Sequence, residues 1–88
     1  MQEMLGRAFN PSTTIRFTIP SRGSATLAIY DAEGRLVRML LNEVVPAGTT
    51  AVQWDGRNDA GSTVTSGVYF YRLASGKFTA SRKMLMLK

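Results

Sequence analysis

From Trp54 to Leu73 the chain reads W-D-G-R-N-D-A-G-S-T-V-T-S-G-V-Y-F-Y-R-L. One apolar alternation closes at Trp54, and another begins with Tyr69, Tyr71 and Leu73. Between them lie Asp55, Gly56, Arg57, Asn58, Asp59, Ala60 and Gly61. That is turn chemistry: glycine takes positive φ cheaply, and Asn and Asp side chains hydrogen-bond their own backbone. A strand end, a polar turn, a short spacer, a glycine and an aromatic strand point to a β-sandwich.

The rest of the chain agrees. Ile15, Phe17 and Ile19 alternate with Thr14, Arg16 and Thr18 until Pro20. A period of two with β-branched residues predicts a half-buried strand. Ala25, Leu27 and Ile29 repeat the pattern, and Asp31-Ala32-Glu33-Gly34 predicts a tight hairpin turn. Residues 35–41 allow two readings. Leu36, Val37, Leu40, Leu41, Val44 and Val45 fall near a helical stripe, but a strand ending near Leu41 suits the short room between Gly34 and Pro46 better. Thr50, Val52 and Trp54 share the face of a further strand, and residues 62–65 form a short extended piece. In residues 68–74, Tyr69, Tyr71 and Leu73 oppose Val68, Phe70 and Arg72. After the turn Ser75-Gly76-Lys77, a last strand over 78–87 becomes continuously apolar at Met84, Leu85, Met86 and Leu87. Such a strand is either covered on both faces or offers an apolar face to a partner. The expectation is an all-β, antiparallel sandwich of about seven short strands. Residues 1–9 read as a linker remnant and residues 10–88 as the domain.

Composition removes several kinds of chemistry. A chain of 88 residues is one domain, and 44% hydrophobic residues is ordinary for a globular fold. No apolar run reaches the about 18 residues of a membrane span, and no signal peptide follows Met1. There is no cysteine and no histidine, so disulfides, thiol chemistry, the usual zinc sites and a Ser-His-Asp triad are out. The net charge of +5 is spread along the chain, which favours a solvated surface over a nucleic-acid stripe. Trp54 shares parity with Val52, so it reads as core rather than as a sugar-stacking platform. Asp55, Asn58 and Asp59 offer clustered oxygens, but Arg57 breaks the spacing of a calcium loop, and turn chemistry is the better reading. The pairs Asp55/Asp59 and Asp31/Glu33 lie in solvated turns, and Ser81 and Lys83 both point toward solvent, so no acid–base or nucleophilic site is expected. The sequence predicts no enzyme and no cofactor.

Taken in order, the stretches N-P-S-T-T-I-R-F (10–17), Y-D-A-E-G-R-L-V (30–37), P-A-G (46–48), W-D-G-R (54–57), D-A-G (59–61), S-G-V-Y-F-Y (66–71) and K-M (83–84) are similar to a known family. They resemble the C-terminal sorting domains of type IX secretion cargo, which belong with the immunoglobulin-like domain of the flagellar hook-capping protein. The resemblance covers residues 10–88. It implies an immunoglobulin-like sandwich that directs secretion and cell-surface attachment of a larger secreted protein, via periplasm and outer membrane. It also implies that the final strand, Arg82, Lys83, Met84, Leu85, Met86, Leu87 and Lys88, contacts the outer-membrane secretion machinery, and that Lys88 is a true C-terminus. Anionic cell-surface polysaccharide is a secondary partner for the positive charge. As an isolated domain the chain is expected to be a monomer. Two other readings stand beside this one: a carbohydrate-binding accessory module of a polysaccharide-degrading enzyme, and a structural, hook-cap-like oligomerisation domain.

Overall fold

A computed structural model describes residues 12–87. The alternating segments form six strands: β1 (Thr13–Ile19), β2 (Gly23–Asp31), β3 (Leu36–Val45), β4 (Gly48–Trp54), β5 (Gly67–Ser75) and β6 (Phe78–Met86). β1 pairs with β4 in a two-stranded sheet, and β3-β2-β5-β6 make a four-stranded sheet. All pairings are antiparallel. The immunoglobulin-like sandwich expected from the sequence is the fold. The described residues hold six strands rather than about seven, because residues 62–65 contribute only an isolated bridge, Thr63 to Arg57.

Alternation fills the space between the sheets. Ile15, Phe17 and Ile19 come from β1, and Ala25, Leu27 and Ile29 from β2. Val45, Trp54, Tyr69, Leu73 and Met86 complete the buried cluster, one or two from each remaining strand. Trp54 is fully buried, and its ring meets that of Tyr69 edge-on, with centroids 5.6 Å apart and an interplanar angle of 67°. Trp54 lies on the small sheet and Tyr69 on the large one, so the pair joins the two. The indole N–H donates to the Arg57 carbonyl (2.9 Å), which lets a polar atom accompany the ring inward. The Tyr69 hydroxyl donates to the Thr65 carbonyl (2.8 Å).

β3 explains its own ambiguity. The strand runs on past Leu41 to Val45, and its pairing with β2 shifts twice, skipping Leu40 and Val37. Each skipped residue is a β-bulge, which turns an extra side chain inward. Val37, Leu40, Leu41 and Val45 therefore all meet the core, at the three- and four-residue spacing that imitates a helix.

The β2–β3 turn is tied by Asp31. Its Oδ1 accepts from the backbone N–H groups of Glu33 and Arg35 (both 2.9 Å), and Oδ2 accepts from Arg35 Nε at 3.2 Å. Glu33 also pairs with the Arg35 guanidinium. Gly34 closes the turn with φ of 84°, a conformation that costs other residues about 1–2 kcal/mol. The backbone donor of Arg35, helped by that of Glu33 and by the guanidinium, holds the Asp31 carboxyl below its ordinary value of 3.8 against a smaller opposing effect of desolvation.

Trp54→Ala should cost about 3–5 kcal/mol, the range for removing a large buried aromatic. Urea denaturation of the variant checks this, and a loss under about 1 kcal/mol would mean that the ring does not join the sheets. A lowered folded-state pKa means that the Asp31 contribution is whole above the unfolded value and disappears as pH falls through the folded one. The difference in thermal stability between the wild type and Asp31→Asn should therefore be constant at neutral pH and shrink below about pH 4. A difference that grows on acidification would contradict the turn geometry.

Candidate interaction surface

The turn-rich stretch that organises the sequence folds as a clip. Asp55 Oδ1 accepts from Arg57 N (3.1 Å) and from Arg38 Nη1 of β3 (2.8 Å). Asn58 Oδ1 accepts from Ala60 N and Ser62 N, at 3.0 and 2.9 Å. Arg57 Nη1 donates to the Gly61 carbonyl at 2.9 Å. Asp59 reaches β3: its N–H donates to the Val37 carbonyl (3.0 Å), and its carboxylate accepts from Met39 N at 3.2 and 3.4 Å. These bonds occupy the backbone of β3 at its bulged part, where a further strand would otherwise pair. The oxygens of Asp55, Asn58 and Asp59 thus serve separate structural partners, Arg57 N and Arg38, Ala60 N and Ser62 N, and Met39 N, rather than converging on one point. Among the described residues, no group of three or more His, Cys, Asp or Glu is arranged to hold a metal ion.

Among the described residues, the last strand lies at the edge of the large sheet, paired with β5 alone. Met86 is buried and Met84 half-buried against the core, whereas Arg82, Lys83, Leu85 and Leu87 are exposed. Lys88 lies outside the described residues. The apolar run at 84–87 is therefore covered on one face only. Leu85, 65% exposed, looks outward.

That outward face is larger than the last strand. Register sets Leu36, Tyr30, Phe70 and Lys83 in one row across β3, β2, β5 and β6. The neighbouring row holds Met39, Ala28, Arg72 and Ser81, and Val68 stands opposite Leu85. Tyr30, Leu36 and Met39 were not foreseen as parts of a site. The signal for Val68 and Phe70 was already in the sequence, as apolar residues on the second parity of β5. For β3 the bulges hid it, by moving Leu36 and Met39 off any simple alternation. Trp54, by contrast, is unavailable as a sugar platform, because both of its faces are enclosed.

The sandwich, its Trp-anchored clip and its antiparallel sheets define an immunoglobulin-like module. A family model for the FlgD Ig-like domain matches residues 8–78, most of the chain. The chain belongs to that family. The match ends at the first residue of β6. Among solved structures, the crystal structure of FLGD from P. aeruginosa aligns with a TM-score of 0.68 at 18% identity, over 85% of this chain and 59% of that one. No curated protein matches the chain. These findings correct the expectation of a type IX sorting module for secretion and attachment: the family found is the hook-cap relative, not the sorting domain. The physical reason is that the quoted motifs are spent inside the fold. Asp31 and Gly34 make a turn, Asp55 to Gly61 make the clip, and Trp54 and Tyr69 make the core. Residues that only build the sandwich do not tell its uses apart.

Asp59→Ala should destabilise the domain by about 1–2 kcal/mol, the scale of a charge-assisted hydrogen bond, and should speed amide exchange at Met39 more than at Leu27. Hydrogen exchange followed by NMR reads both residues at once. Unchanged protection at Met39 would show that the clip does not hold β3.

Proposed function

We propose that this domain is a non-catalytic structural module of the hook-cap kind, a folded block that holds protein chains together in an assembly. The observation that carries the reading is the FlgD Ig-like family match over residues 8–78. The disposition of the molecule supports it. Four of the five described carboxylates, Asp31, Glu33, Asp55 and Asp59, are engaged in turns and clips. What faces outward is an apolar sheet face and an open strand edge, which suit contact with other chains. The location that goes with this reading is the cell surface, reached through the periplasm and outer membrane. Other protein subunits are its partners.

Grafting the chain in place of the Ig-like domain of a flagellar hook-capping protein tests the proposal in a motile bacterium. Hooks counted by electron microscopy should form with the graft and not with an unrelated sandwich of equal size. A graft that is exported and folded but supports no hooks would overturn the reading.

A further inference from the structure

We infer that the outward face of the four-stranded sheet is a docking surface for a segment of another protein that carries apolar side chains flanked by carboxylates. The inference rests on the assembly reading above and specifies the partner.

The apolar part of the face comes from four strands. Leu36 is 52% exposed, Met39 41%, Phe70 36% and Leu85 65%, with half-buried Tyr30 and Val68 among them. A shallow depression opens beside Tyr30 and Phe70 and runs from Asp31 to Arg72 and Ser81. Contiguous exposed apolar surface of this kind marks contact sites on soluble proteins. An aromatic next to a depression is the usual anchor of such a contact.

Charge decides which partner fits. Lys83 completes the row of Leu36, Tyr30 and Phe70, and Arg72 lies beside Ala28. Neither cation takes part in the ion pairs among the described residues. The carboxylate that borders the depression, Asp31, is already engaged. Asp31 and Glu33 are held by Arg35, Asp55 by Arg38, and Asp59 by the backbone of β3. Glu43 shares the inward parity of Leu41 and Val45. A second copy of this chain is the wrong occupant. Two copies joined on this face would cover Lys83 and Arg72 of both, while the Asp31 of each stays committed to Arg35, in molecules that each carry a net charge of +5. A nucleic-acid strand would want a continuous basic track, and here two cations stand among six apolar side chains. Carboxylates beside apolar anchors satisfy both parts of the face together.

Selection of a random peptide display library on the full chain tests this. Peptides retained by the wild type should be enriched in Asp and Glu interspersed with large apolar residues. Their affinity, read by fluorescence anisotropy, should fall about tenfold or more with Phe70→Ser or Leu85→Ser. Leu85 is so exposed that its variant stays folded, which Trp54 fluorescence verifies. Lys83→Glu should weaken the acidic peptides and strengthen versions in which Lys replaces their Glu. Retained peptides without acidic enrichment, no retained peptides, or binding indifferent to all three substitutions would overturn the inference. So would displacement of the peptides by single-stranded DNA, or a wild-type dimer in sedimentation that Leu85→Ser abolishes. Failure here leaves the hook count of the grafted chain unaffected, and failure of the graft leaves peptide binding intact.

Discussion

The edge-on contact of Trp54 with Tyr69 is the constraint on which the rest depends. A sheet of two strands does not persist by itself in water. β1 and β4 form such a sheet, and it survives because its apolar side chains lie on the larger sheet, with Trp54 as the deepest of them. The ring also sets the loop that follows. Its N–H holds the Arg57 carbonyl, and that bond starts the clip that ends with Asp59 on β3. Core packing and loop shape are thus one device.

A small domain without disulfides has to use such devices more than once. Asp31 ties its hairpin, Asn58 its loop, and the Tyr69 hydroxyl the segment before β5. Each satisfies backbone groups that irregular chain would otherwise leave to solvent. The polar residues that look most like chemistry in the sequence are therefore structural here, and the surface left for function is apolar and cationic.

Most of the fold could be read from alternation. The parities of β1, β2, β4 and β5 follow from Ile15 to Ile19, Ala25 to Ile29, Thr50 to Trp54 and Tyr69 to Leu73. The turns at Gly34 and Gly76 follow from their residue types. β3 resisted because a bulge adds a residue without a sequence mark of its own, and two bulges turn a period of two into something like a helix. The outward face was only half legible. Phe70 and Leu85 betrayed themselves by sitting apolar on the solvent parity, whereas the alignment of Leu36 and Tyr30 with them is set by pairing between strands distant in sequence. Motif order led to the right fold and the wrong use of it, because those motifs describe how the sandwich is built.

The two bulges of β3, together with the Asp59 clip, have a consequence for how such domains add up. The large sheet has two borders, and one of them is kinked and already occupied. Among the described residues, only the β6 border remains straight and open. Strand addition to this sheet can therefore proceed in one direction alone. A chain that joins at β6 closes the sheet, and a copy that does so symmetrically yields a pair that stops there. Growth of the large sheet into an endless ribbon is blocked by geometry.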